Sequence, residues 1–164
     1  MVILLNGSIN SGKTTIGKYI ASLGMGIAHI EVDSLRDFIR WMPLKDSIEI
    51  NLENAASVAI NFHKRDIDSV ITTPLSGDDY TFLGSLLQSA DIRYKAIALN
   101  PGIPELKKNR GARKLTEWEF NRIDELAVEG SVNPCFGEIV NNSELSVEAT
   151  AQMVLQLAGL NKTL

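Results

Sequence analysis

Eight residues near the start of the chain, Gly7-Ser8-Ile9-Asn10-Ser11-Gly12-Lys13-Thr14, constrain its fold more than any other stretch. Two glycines at G-x-x-x-x-G spacing let the backbone curl until successive N–H groups point inward at the β- and γ-phosphates of a nucleotide. The helix that follows adds its positive end to the same point. Lys13 meets the phosphates as a point charge, and the Thr14 hydroxyl takes a coordination position on Mg²⁺. The nucleotide-binding stretch is therefore expected to run from Gly7 through Ser8, Ile9, Asn10, Ser11, Gly12, Lys13 and Thr14 to Thr15. A cradle of this kind needs a strand before it and a helix after it. Val2-Ile3-Leu4-Leu5 reads as the strand, and Ile16, Ile20 and Leu23, spaced by four and three, read as one helix face ending at Gly24.

The rest of the chain repeats that alternation of short apolar runs with longer amphipathic ones. This is the pattern of βαβ units in a mostly parallel sheet covered on both faces, hence an α/β fold of three layers. Further strands are expected at Ile27–Val32, Ser69–Thr73, Tyr94–Leu99 and Gly137–Val140. Between them the spacing predicts a short helix from Leu35 to Met42 behind an N-cap at Ser34. A longer helix is capped by Ser47, with Ile48, Leu52, Ala55, Ala56, Ala59 and Ile60 on its apolar face. Another helix opens at Gly77, a charged helical stretch spans Pro104–Glu129, and a last helix is capped by Ser146. At 164 residues, without a repeat, linker or low-complexity tract, residues 1–164 are read as a single domain.

Charge narrows the partners. A formal net charge of -4, without long like-charge runs, offers no face for nucleic acid or an anionic membrane, so the expected partner is a small molecule and the expected state a monomer or homodimer. Cys135 is the only cysteine, so an internal disulfide is impossible and a reducing cytoplasmic setting is expected. The apolar start is too short for a signal region or a membrane span. His29 and His63 form no metal or triad pattern with Cys135 and are read as structural residues.

Glu31 and Asp33 lie two apart at the end of the second strand, which puts both carboxylates on one side, toward the crevice above the strand ends where open α/β sheets bind ligands. Phosphoryl transfer needs one carboxylate near Mg²⁺ and another to accept the proton of the attacking hydroxyl, and this pair can supply both. The alternative for Asp33 is a capping role at the helix that begins near Ser34. Arg36 and Arg40, four apart on that helix, share a face suited to an anionic acceptor, or to plain solvent exposure.

The stretch from Gly7 to Thr15 followed by His29-Ile30-Glu31-Val32-Asp33-Ser34 resembles the small P-loop kinases related to shikimate and gluconate kinases. Val32-Asp33-Ser34-Leu35 is similar to chloramphenicol phosphotransferases, and the second half of the chain to tunicamycin-resistance P-loop proteins. The resemblance implies a five-stranded parallel sheet in the order 2-3-1-4-5, ATP with Mg²⁺, and Asp33 as the acceptor-side base. It also implies an arginine-bearing lid at about residues 105–116, with Arg110 and Arg113 as its catalytic arginines and Gly111 as hinge. Asn141 or Asn142 would face the adenine. Trp41, Trp118 and Phe120 would border the acceptor or lid, or else belong to the core. One departure stands out: the third strand ends Ile71-Thr72-Thr73-Pro74 without the aspartate that usually supports the metal there. Glu31 is the candidate replacement beside Thr14, or Mg²⁺ relies on Thr14, phosphate and water.

The expected activity is ATP-dependent transfer of the γ-phosphoryl group to a hydroxyl of a small molecule. A nucleotide-binding resistance or regulatory protein without an acceptor is one alternative. The other is a nucleoside or nucleotide kinase, for which Phe38, Trp41 and Tyr80 would stack on a base.

Overall fold

In the computed structural model, which describes residues 1–109 and 114–160, β1 (Val2–Gly7) is the centre of a five-stranded parallel sheet. The order is β2 (Ile27–Glu31), β3 (Asp68–Thr72), β1, β4 (Tyr94–Leu99), β5 (Glu138–Val140). From β1 the chain crosses to the outer edge at β2, comes back to fill the place beside β1 with β3, and then builds outward on the other side through β4 and β5. Ligand crevices form above the strand ends where such an order reverses, and here that point is the end of β1, where Gly7 begins the phosphate loop.

Because successive strand residues face opposite ways, β1 feeds two cores. Val2 and Leu4 pack with Leu52, Ala55, Ala59, Leu83 and Leu87, from α3 (Leu44–His63) and α4 (Gly77–Ser89). Ile3 and Leu5 pack on the opposite face with Ile16, Ile20, Ala151 and Val154, from α1 (Lys13–Ser22) and α7 (Val147–Leu157). A smaller cluster of Leu106, Ile123 and Val132 joins α5 (Ile103–Leu106) to α6 (Glu117–Val128), and Ile9 of the phosphate loop packs against it. Ser146 caps α7 by accepting from the Ala149 N–H, and capping boxes at Ser76 and Thr116 start α4 and α6.

Several boundaries differ from the sequence reading: the stretch read as helical over Pro104–Glu129 holds two helices, α5 and α6, and two helix starts beside the crevice are shifted. The second strand stops at Glu31, and α2 (Val32–Arg36) begins at once, followed by a 3₁₀ turn at Asp37–Ile39. Val32 belongs to the core beneath α3, so burial of its side chain draws the chain into a helix before Ser34 can act as a cap. Helix α3 likewise starts at Leu44 behind Pro43, and Ser47 lies inside its first turns with its hydroxyl on the Leu44 carbonyl at 2.8 Å. The fixed proline φ, -55° here, sets the helix start earlier than a serine cap would.

Strand β5 is the short edge, and it is held close to β4 by Gly137. At a φ of +72°, a Cβ there would lie 2.4 Å from the Ala96 carbonyl oxygen. Gly137→Ala is therefore expected to lower stability by about 1–3 kcal/mol from overpacking, with left-handed backbone strain added. Chemical denaturation measures it, and an unchanged midpoint would contradict the close packing of β4 on β5.

Candidate functional site

The phosphate loop is held from beneath by Asn6. Its Oδ1 accepts from the Gly7 N–H at 2.7 Å and from the Leu75 N–H at 2.9 Å, while its Nδ2 donates to the Ser131 carbonyl at 3.4 Å. One buried amide thus ties the loop to the ends of β3 and α6, a role that its position just before the motif does not announce. Asn10 takes a left-handed φ of 66°, and its Nδ2 donates to the carbonyls of Leu106 and Lys108, both at 2.9 Å. Gly7 is curled so tightly that a Cβ would meet Ser11 Oγ at 2.5 Å, and Gly12 has φ +92° at the start of α1. Lys13 is folded in, 8% exposed, with Nζ donating to the Ser8 carbonyl at 3.3 Å.

Several buried polar atoms around the loop lack protein partners among the described residues: Ser8 Oγ, Ser11 Oγ and Asn142 Oδ1. Leaving such atoms unpaired costs about 1–3 kcal/mol each, and hydroxyls beside a curled loop at a helix N-terminus suit a phosphate. The cradle therefore fits a nucleotide. Asn142, the residue expected near adenine, instead clamps the loop by donating to the Ser11 carbonyl at 3.0 Å while still facing the crevice; Asn141 caps the turn at the Ser143 N–H.

At the adjoining wall the Thr14 hydroxyl donates to Glu31 Oε1 at 2.7 Å, and Ser34 Oγ donates to Glu31 Oε2 at 3.4 Å. Glu31 pairs in register with Thr72 of β3, so its carboxylate stands one strand over from where a β3 aspartate would stand. Two hard oxygen ligands side by side suit Mg²⁺, which binds through one or two protein groups plus phosphate and water. Among the described residues no cluster of three or more His, Cys, Asp or Glu is arranged to hold a metal ion.

One crevice of about 1750 Å³ connects these groups. Gly12, Lys13, Thr14 and Thr15 line it together with Glu31, Asp33, Arg36, Ser47, Asn51, Thr73 and Asn142. Glu31 and Asp33 both reach it, but through the turn from β2 into α2 rather than by alternation on one strand. Arg40 does not reach it: the helix tightens after Arg36, and the Arg40 guanidinium bonds Asp37 at 2.8 Å on the exposed side. The shared face expected for the two arginines is not formed. Phe38 and Trp41 are 82% and 79% exposed and lie off the crevice wall. Tyr80 is stacked on Phe136 with ring centroids 4.2 Å apart. No base-stacking cleft of Phe38, Trp41 and Tyr80 is thus assembled. Trp118 does line the crevice, while Phe120 is half-buried on α6 and not part of its wall.

Arg110 and Arg113 lie outside the described residues. The segment that flanks them starts from Leu106 in the small core and is braced by Lys107 on Asp124 at 2.6 Å and by Asn109 Oδ1, which accepts from the Leu115 N–H at 2.9 Å. Arg122 was not singled out by the sequence. It faces the same crevice, with Nη1 held by Glu125 and Glu129, both at 2.8 Å. Its only signal there is the i,i+3 spacing to Glu125 and a second acid one turn on.

Behind the loop, His29 Nε2 sits 2.8 Å from Thr72 Oγ1 and fills the space beside Gly17, where a Cβ would lie 2.6 Å from the ring. Burial holds this imidazole below the ordinary histidine value of 6.5, against the opposing pull of Glu31. The folded state thus resists protonation. Stability is full above the unfolded value and falls as pH drops through it toward the lower folded value. The melting temperature is expected to drop between about pH 7 and about pH 5 by more in the wild type than in His29→Gln; equal drops would remove His29 as the cause.

No protein-family model matches the chain, and no curated protein matches its sequence. Solved structures do match. The tunicamycin resistance protein of Deinococcus radiodurans aligns over 98% of this chain and 96% of its own, at 13% identity and TM-score 0.72. A sugar kinase from Janibacter sp. HTCC2649 aligns over 98% and 95%, at 17% identity and TM-score 0.71. The APS kinase of Mycobacterium tuberculosis, solved with AMPPNP and APS, aligns over 95% of each chain at 16% identity and TM-score 0.65. The chain has the three-layer α/β fold of the small P-loop kinases. Among the described residues no helix is long and apolar enough to cross a membrane.

Proposed function

We propose that the protein is an ATP-dependent phosphotransferase that moves the γ-phosphoryl group to a hydroxyl of a small molecule. The observation that carries this reading is that Lys13 and Thr14 line the same crevice of about 1750 Å³ as Asp33 and Arg36, so a triphosphate on the loop and an acceptor beside Asp33 would share one space. The nucleotide lies on the loop from Gly7 to Thr15. Thr14 and Glu31 would hold Mg²⁺, which when bound would supply charge neutralisation at the phosphate oxygens. Asp33 accepts the proton as the acceptor oxygen bonds to γ-phosphorus, the bond from γ-phosphorus to the β-bridging oxygen breaks, and ADP leaves. Arg110 and Arg113 are assigned to the charge that spreads over the γ-oxygens, a task suited to planar guanidinium groups.

A second reading is a nucleotide-binding resistance or regulatory protein that has no acceptor. The strand end Thr72-Thr73-Pro74, which offers no carboxylate, favours it, as does the overlap with the tunicamycin resistance protein. Purified protein with ATP, screened for ADP release across sugars, nucleosides and hydroxyl-bearing antibiotics, decides between them. Acceptor-stimulated ADP release supports transfer; nucleotide binding with the same slow hydrolysis under every acceptor supports the second reading.

A further inference from the structure

Asn10, in the phosphate loop, holds a φ of 66°, a left-handed backbone that glycine takes freely and that strains a residue carrying a Cβ. The curve of the loop therefore does not call for a carboxamide here; what the carboxamide adds is its two bonds. Nδ2 donates to the carbonyls of Leu106 and Lys108, 96 and 98 residues away in sequence, each at 2.9 Å. Leu106 is the last residue of α5 and Lys108 follows its C-cap, so Asn10 supplies donors where a helix end leaves carbonyls without internal partners. Helix α5 cannot stand by itself. It has four residues, far short of the roughly 12–15 that an isolated helix needs, so it depends on anchors from elsewhere. Leu106 is fully buried with Ile123 and Val132, and Lys107 pairs with Asp124 of α6; the phosphate loop adds Ile9 by packing and Asn10 by hydrogen bonds. The same small core seats α6, whose Trp118 and Arg122 line the crevice.

We infer that Asn10 is a positioning residue that joins the phosphate loop and the α5–α6 wall of the crevice into one cooperative unit, so that a nucleotide on the loop also fixes that wall. This rests on the reading of the loop as a nucleotide site. Phosphate oxygens bonded to the N–H groups of the loop restrain the backbone at Asn10. The carboxamide passes that restraint to α5, which is formed or frayed according to its anchors, and linkage makes the coupling reciprocal. Glycine at this position would curl the loop as well and leave α5 to its other anchors.

Amide hydrogen exchange on the full chain tests this at Glu105, Leu106, Lys107 and Lys108, whose N–H groups bond to carbonyls of α5 and its cap. Exchange is measured with and without saturating AMPPNP and magnesium chloride, and isothermal titration establishes saturation. In the wild type these amides are expected to exchange about tenfold more slowly once AMPPNP is bound. Asn10→Gly keeps the left-handed curve and removes the carboxamide. Its amides should exchange about tenfold faster than wild type without nucleotide and slow by about twofold or less with AMPPNP. Asn10→Asp keeps the shape of the side chain but turns an acceptor toward the two carbonyls, and should lose the slowing in the same way if glycine loosens the loop. A bond with a structural role alone would raise exchange by one factor in both states and leave the slowing by AMPPNP at its wild-type size; that result overturns the proposal. So does wild-type exchange in α5 that bound AMPPNP leaves unchanged. Failure of the wild type to bind AMPPNP at all removes the nucleotide site itself, and this inference with it.

Discussion

Lys13→Ala is expected to weaken ATP binding by about a hundredfold or more, since hydrogen bonds to a charged group each contribute about 1.5–3 kcal/mol and the ammonium is the cationic side chain of the loop itself. The fold should survive. Lys13 is buried and its Nζ bonds the Ser8 carbonyl, so alanine also leaves a small void; Lys13→Met keeps the aliphatic stem and separates charge from packing. Isothermal titration with ATP, and circular dichroism to check folding, measure the two effects. If both variants fold and titrate like wild type, the loop is not a nucleotide site, and every functional statement built on it falls.

Asp33→Asn should bind ATP normally yet lose acceptor-stimulated turnover by the roughly 10² to 10⁴ that a general base contributes. The substitution keeps size and shape and removes only the proton-accepting charge. Its value lies in how differently other roles would answer. A carboxylate that merely favours the N-terminus of α2, where Asp33 is the first-turn acid, would cost a few tenths of a kcal/mol to about 1 kcal/mol of stability and no catalysis. A carboxylate that held the metal would drag ATP·Mg²⁺ affinity and background hydrolysis down together. Nucleotide affinity, background hydrolysis and acceptor-stimulated turnover on this one variant separate the three, and normal acceptor turnover rejects the base assignment.

Glu31 is the more instructive member of the pair. Alternation along a strand places two carboxylates on one side, yet the strand ends at the first of them. Glu31 reaches Thr14 because β2 runs beside β3 and ends level with Thr72; Asp33 reaches the crevice because a helix starts at Val32. That both face the crevice was legible, whereas the route was not, since the strand end is set by burial of Val32 rather than by any local cap signal. Arg40 shows the same limit in reverse. Spacing by four predicts a shared face only if the helix stays α-helical, and the tightening at Asp37 turns Arg40 out to solvent.

What local chemistry dictates was readable directly. Glycines at fixed spacing before Lys13-Thr14 set the phosphate loop, short apolar runs and helical hydrophobic patterns set the strands and most helices, and Ser146 set the start of α7. These signals act within a few residues, so the chain carries them whatever surrounds it. Tertiary structure alone decided the contacts that cross the sheet: Asn6 bracing the loop against Leu75 and Ser131, Asn142 clamping Ser11, and Asn10 holding Leu106 and Lys108. Asn51 belongs with them, because α3 brings this buried amide to the crevice wall only once the sheet has formed.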